Sequence, residues 1–384
     1  MSGTRRLLNV AVVALILGSC SGPILANPTA PLAAPPSASP APSLLADPRS
    51  ITFPPDDAPH DRLTEWWYYT GHLVDASGGR WGFEFVIFRA ERGGFPVTWA
   101  SHLALTDEVA GTFQYAQRTE VGPQVNQSPP GDAAFSLAIR GVSPLAAKAA
   151  TVEPWTMSNA VGPDRLHGGL DDGSTLDLDL TTTKPPALQD TDGWVDFGPA
   201  GGSYYYSRTR LDATGSLTIG GRRLSVTGEA WFDHQWGDFI SVGGGGWDWF
   251  AVNLADGTDI TISRVRAADG TYPLVYGTVV DLSGTTRHLT AHDFTVTSSG
   301  SWTSPHSGAT YPAGWRIKLP CIGTDCDLTI DLSPTVADQE LDTRATTGVV
   351  YWEGSQRVVA TIGDGGHVGG EAYVELTGYP PTKP

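Results

Sequence analysis

From Glu65 to Glu375 the chain is written in short segments whose side chains change character every second residue, cut by Gly, Pro and Asp turns. A period of two belongs to strands, whereas helices repeat at 3.6. Such segments lie at Trp99–Leu105, Thr112–Gln117, Ala133–Arg140, Thr175–Leu180 and Tyr204–Leu211, and a hairpin turns at Gly220-Gly221. After Phe239 the pattern restarts at 247–254 and continues through 258–266, 273–281, 287–296, 315–319, 327–332, 348–353 and 370–377. Ser143–Ala150 is the one helix candidate, so the chain is predicted to be all-β. One segment is apolar on both sides: Trp81, Phe83, Phe85 and Ile87 alternate with Gly82, Glu84, Val86 and Phe88. A strand of that kind is expected in the interior of a barrel or sandwich. Two successive sets of about eight strands predict two barrels in tandem, and a barrel of that size can hold one small apolar ligand. The boundaries predicted are 49–237 for the first and 238–384 for the second.

The N-terminus reads as an export signal. Arg5 and Arg6 precede an apolar run, Leu7–Leu17, too short for a permanent membrane span. It ends in Leu17-Gly18-Ser19-Cys20, the pattern of a lipoprotein signal covering 1–19, with Cys20 lipidated. Cleavage near Ala26 is the alternative. Residues 20–48 are rich in Pro, Ala and Ser and lack the periodicity that buries a core, so they are expected to form a tether. The expected location is outside the cytoplasm, held to a membrane by the lipid.

Cys321 and Cys326 flank a short Gly-Thr-Asp segment and could pair as a disulfide in an oxidising compartment. The net charge of −17 argues against a nucleic-acid partner. No nucleotide-binding glycine motif leads from a strand into a helix, no HExxH occurs, and the nine His are scattered, so neither a metal nor an organic cofactor is expected. The Gly243–Gly246 run leads into a further strand and is expected to be a hairpin connection.

The densest chemistry lies in Gly228–Phe250, where Trp231, Trp236, Trp247 and Trp249 stand beside Asp233, His234 and Asp248. Read as a strand, Leu224, Val226, Ala230, Phe232, His234 and Trp236 share one face. Asp248 shares its face with Phe250, Val252 and Leu254. A carboxylate on an apolar face is either paired or protonated, because burying a lone charge is costly. The spacing predicts that His234, Trp236 and Asp248 converge on one apolar pocket, with Asp248 or Asp233 as a neutral acid. Glu65, heading the run Glu65–Tyr69, is expected to be buried, either paired with Arg89 or Arg210 or facing the cavity of His234.

Six stretches together carry a resemblance: EWWYYTGHL (65–73), WGFEFVIFR (81–89), SHLALTD (101–107), YYYSRTRL (204–211), GEAWFDHQWG (228–237) and GWDWFAVNLADG (246–257). From about Pro54 to Glu375 the chain resembles the carotenoid 1,2-hydratase (hydroxyneurosporene synthase) family and its AttH-type relatives, often described as secreted hydrolases. The resemblance implies two lipocalin-like barrels, no cofactor, and addition of water to the terminal double bond of an acyclic carotenoid. It implies a role in activity for His234 and Trp236, and an acidic proton donor on a following strand, for which Asp248 is the nearest match.

Two functions are open to such a chain. As a hydro-lyase, it would protonate an alkene from Asp248 or Asp233, with Trp236, Trp247 and Trp249 stabilising the cation and His234 orienting acid or water. As a tethered carrier, it would use the same aromatics, with Trp231, Trp67, His102 and Tyr205, as walls for a hydrophobic small molecule. A hydrolase is less well supported, because no GxSxG elbow is present.

Overall fold

The computed structural model describes residues 47–141, 153–159, 162–239, 244–320, 327–363 and 365–381. The signal and most of the tether with Cys20, the helix candidate at 143–150, and Cys321 with Cys326 lie outside the described residues.

The described chain is all-β, with three single turns of 3-10 helix at Pro55–Asp57, Pro123–Val125 and Gly198–Ala200. The first sheet contains β1 (Thr64–Asp75), β2 (Arg80–Ala90), β3 (Thr98–Asp107), β4 (Thr112–Val121), β5 (Ser136–Ile139), β6 (Trp155–Ser158), β7 (Asp164–Gly169), β8 (Thr175–Thr182), β9 (Ala187–Leu188), β10 (Trp194–Asp196), β11 (Gly202–Ile219) and β12 (Arg222–Gly237). The second begins with β13 (Gly244–Leu254), β14 (Asp259–Ala267), β15 (Leu274–Val280), β16 (Thr286–Thr290) and β17 (Thr295–Ser298). A small ribbon, β18 (Trp302–Thr303) and β19 (Thr310–Tyr311), interrupts it. It resumes with β20 (Trp315–Leu319), β21 (Leu328–Pro334), β22 (Glu340–Asp342), β23 (Val350–Ile362) and β24 (Gly366–Thr377).

The main orders are β4-β3-β2-β1-β12-β11-β8-β7-β6-β5 and β16-β15-β14-β13-β24-β23-β21-β20-β17. In each sheet the last long strand returns to pair with the first, β12 with β1 and β24 with β13. This curls both sheets into nearly closed, barrel-like folds. The strands number more than the sequence pattern suggests, because short strands such as β9, β10 and β22 carry too few residues for alternation to show.

Each barrel packs its own interior. Trp67, Tyr69, Phe83, Phe85, Ile87, Phe232 and Trp236 are buried in the first, and Phe250, Val252, Ile262, Trp315 and Trp352 in the second. The outer face of β1, β2 and β12 then packs on β13, β23 and β24, where Tyr68, Val86, Trp231, Trp249, Ala251 and Tyr373 form a separate buried cluster. This explains why β2 reads as apolar on both sides: one face fills a barrel and the other meets the second sheet. Gly82 lies at that contact, where an added Cβ would come 2.7 Å from the Tyr373 hydroxyl.

The glycine run at 243–246 is not a hairpin connection between paired strands. β12 and β13 belong to different sheets, and Gly244, Gly245 and Gly246 open β13, bulged against β14 between Gly244 and Trp247. Gly246 has φ of +88° and sits against the Thr377 carbonyl, a place open only to a residue without Cβ.

Candidate functional site

A cavity of about 90 Å³ lies between the two sheets. Its walls are mostly aromatic, with Trp66 and Phe88 from the first sheet, Trp247 and Trp249 from β13, Tyr276 from β15, and Phe197 and Phe239 from connecting segments. Three carboxyl groups, Glu84, Asp233 and Glu375, enter this apolar surface. Strand parity puts them there. β2 turns Phe83 and Phe85 inward and so turns Glu84 outward, and β12 turns Phe232 and His234 inward and Asp233 outward.

Asp233 is fully enclosed and accepts three hydrogen bonds, from Tyr205 Oη at 2.5 Å, Ser207 Oγ at 2.5 Å and Trp231 Nε1 at 2.7 Å. Burial raises its pKa to about 6, against those three donors. Tyr205 in turn accepts a hydrogen bond from Trp249 Nε1 at 3.1 Å, so β11, β12 and β13 are linked through one carboxylate. Burial lifts Glu84 to about 8, with the Tyr351 hydroxyl opposing from 2.9 Å and Glu375 adding repulsion. Its second oxygen, Oε2, has no hydrogen-bond partner among the described residues. Burial likewise raises Glu375 to about 7, with Trp247 opposing. Behind the wall, burial and then the charges of Glu375 and Glu84 hold Glu353 well above the usual carboxylate range, and Tyr68 donates to it at 2.8 Å.

The residues singled out from sequence divide between this cavity and other places. Asp233, Tyr205, Trp247 and Trp249 line it, and Trp231 supports it through Asp233. His102 lies one layer back, its Nδ1 at 2.7 Å from the Tyr351 hydroxyl and its Nε2 at 3.1 Å from Thr346 Oγ1. Burial drives its pKa down to about 3, so it is neutral. His234, Trp236 and Trp67 face the interior of the first barrel, on the opposite side of β12 and β1 from the cavity.

The expected convergence of His234 and Trp236 with Asp248 therefore does not occur. Asp248 points into the second barrel with Phe250, as its parity requires, and its charge is paired. Arg266 Nη1 lies 3.0 Å from Oδ1, Arg264 is its cross-strand neighbour on β14, and Tyr272 and Tyr379 each donate at 3.0 Å. It is not the lone acid of an apolar pocket. Glu65 is fully buried but pairs with neither Arg89 nor Arg210. Its partners are His60 Nδ1 at 2.8 Å and His234 Nε2 at 2.9 Å. Burial works to raise its pKa, but the two imidazoles hold it below the usual value. Burial lowers His234, whereas Glu65 and Asp56 overcome burial and raise His60.

Sequence reading missed Glu84, Glu375, Glu353 and His60. The first three had a visible signal. Glu84 and Glu375 are single carboxylates between large apolar residues, Phe83-Glu84-Phe85 and Val374-Glu375-Leu376, and Glu353 directly follows Tyr351-Trp352. His60 lies in irregular chain ahead of β1 and had none.

Comparison with known proteins agrees with this architecture. The AttH-like family model matches residues 45–379. The solved structure of an AttH from Nitrosomonas europaea is 29% identical, with a TM-score of 0.73, covering 88% of this chain and 99% of its own. Kievitone hydratase from Nectria haematococca is similar in fold at 17% identity and a TM-score of 0.65, covering 86% of this chain and 94% of its own. CghA, solved with Sch210972, is similar at 15% identity and a TM-score of 0.55, covering 83% of this chain and 88% of its own. No curated protein matches the sequence.

Proposed function

The chain belongs to the AttH-like family, and on that footing we propose that its inter-sheet cavity binds an unsaturated, apolar, isoprenoid-like molecule and adds water to one carbon–carbon double bond. The observation that carries this reading is the entry of Glu84, Asp233 and Glu375 into a single aromatic cavity. Hydration of an isolated alkene needs a neutral acid in a dry place. Glu84, at about 8, keeps its proton at neutral pH. Transfer of that proton to the less substituted alkene carbon consumes the π bond and leaves a cation on the other. The ring faces of Trp247 and Trp249 stabilise such a cation by about 0.5–2 kcal/mol each. Water forms the new C–O bond, its proton passes to Asp233, and movement of that proton from Asp233 to Glu84 restores both groups. His234 and Trp236 then act from behind, by fixing the strand that carries Asp233. The hydratase among proteins of similar fold supports this chemistry by analogy of fold alone.

In an assay with an acyclic isoprenoid, Glu84→Gln should abolish formation of the tertiary alcohol while leaving binding nearly intact. Asp248→Asn should leave turnover in place. Full turnover by Glu84→Gln would move the acid to Asp233 or Glu375. A wild-type protein that binds such ligands and returns every one unchanged would be a carrier.

The N-terminal pattern supports a cellular setting for this reaction. We propose export and anchoring through Cys20, which would hold the cavity near a membrane where apolar substrates partition.

A further inference from the structure

The face of β12 turned away from the cavity carries a second cluster. Glu65 and His234 come from adjacent strands, and the segment ahead of β1 delivers His60 to them. One ligand atom from each lies within 4.8 Å of the other two. We propose that His60 Nδ1, Glu65 Oε1 and His234 Nε2 bind one divalent transition-metal ion of the zinc type.

The donor set fits such an ion, since two imidazoles and one carboxylate leave a fourth position for water. Ligand distances of about 2.0–2.2 Å place tetrahedral donors roughly 3.4 Å apart. Glu65 Oε1 now lies 2.8 and 2.9 Å from the two nitrogens and the three atoms lie within 4.8 Å of one another, so binding needs the carboxylate to draw back by roughly half an ångström and the two ring nitrogens to settle about 3.4 Å apart. The donors are held in orientation. The His60 ring stacks on Trp236 at 4.1 Å with an interplanar angle of 1°, and the His234 ring stacks on Trp67 at 4.9 Å. The His60 backbone N–H is shared between the two carboxylate oxygens, nearer to Oε2 at 2.9 Å than to Oε1 at 3.2 Å, so Oε1 is the more weakly held of the two. Asp56 Oδ1 lies 3.2 Å from His60 Nε2, the arrangement in which a carboxylate fixes the tautomer of a metal-binding imidazole. Asp56 is itself held by Arg49. Without an ion, Oε1 must receive a proton from each ring, and His60 must carry two protons to face Asp56 as well. An ion replaces both protons on the Glu65 side.

The bound ion would join the segment ahead of β1 to both β1 and β12. The inference does not rest on the hydratase reading, and either can fail alone. The test is calorimetric titration of chelator-stripped full-length protein with zinc. One ion per chain is expected. Asp56→Asn should weaken binding about 10- to 100-fold, and His60→Ala and Glu65→Gln should abolish stoichiometric binding. His306→Ala, which changes an exposed His with its own Asp338 partner, should have no effect. Cobalt in place of zinc should give the visible absorption of a nitrogen- and oxygen-ligated tetrahedral ion. His60 is half-buried and outside the strands, so His60→Ala tests the site separately should Glu65→Gln fail to fold. A wild-type protein that takes up no zinc, or stoichiometric binding that survives His60→Ala, would overturn the proposal and leave the cluster as a proton-sharing bridge.

Discussion

Glu84→Gln should change stability as well as activity, and the pH dependence separates the causes. The ordinary value for a glutamate is 4.5, and burial moves this one to about 8. A carboxyl raised in the folded state contributes its stability fully below its unfolded value, and loses it as pH rises through the folded one. In the wild type, the loss between pH 5 and pH 8 is on the order of 3 kcal/mol for this group. Glutamine does not ionise, so the variant escapes that loss. It keeps the oxygen that accepts from Tyr351 and places its amide where Oε2 has no partner. The unsatisfied amide costs about 1–3 kcal/mol at every pH. The sign of the offset at pH 5 is therefore uninformative, and the slope carries the information. Thermal unfolding followed from pH 5 to pH 8 should show the variant gaining on the wild type by roughly 4 °C. Parallel curves would mean that Glu84 bears no burial penalty, and it would then have no reason to hold a proton at neutral pH.

Three other substitutions have defined outcomes. Asp259 is fully buried and accepts from Lys184, in the connection between β8 and β9, at 2.7 Å, and from Thr209 at 2.8 Å and Arg210 at 2.7 Å on β11; Asp259→Ala strands a buried Lys184 and should cost about 3–5 kcal/mol in denaturant unfolding, and a cost below about 1 kcal/mol would show that the network is not a clamp between the two halves. Trp249→Ala removes both a cavity wall and the donor to Tyr205, so it should weaken ligand binding and turnover together, which saturation kinetics can separate from a loss in kcat alone. Cys20→Ser should move the protein from the membrane fraction to the soluble one on cell fractionation, and an unchanged distribution would reject the lipid anchor.

What the sequence made legible follows from period two. Alternation identified the long strands and showed which residues share a face, including Phe232, His234 and Trp236 on one side of β12 and Asp248 with Phe250 on β13. It also showed β2 to be apolar on both sides, and the second sheet covers the outer one. Alternation does not say what lies opposite a face. The partners of Asp248 are Arg264 and Arg266, delivered by the register of β14. With the register unknown, a paired carboxylate and a neutral acid read alike. Glu84 and Glu375 come from strands nearly 300 residues apart, and only the packing of the sheets places them in one cavity.

The same parity explains why Asp233 and His234, though adjacent, cannot serve one centre. Successive side chains on a strand leave in opposite directions, so β12 presents Asp233 to the inter-sheet cavity and His234 to the barrel interior. Neither side is free to shift. Asp233 is fixed by Tyr205, Ser207 and Trp231, and His234 by Glu65 and the stacked Trp67. A displacement of β12 on one face is carried to the other, because both sets of side chains hang from one backbone. Whatever holds the His234 side, an ion or shared protons, therefore sets the position of the Asp233 carboxylate. Loss of that hold should appear at the cavity as a fall in kcat with binding of the apolar part of the ligand preserved.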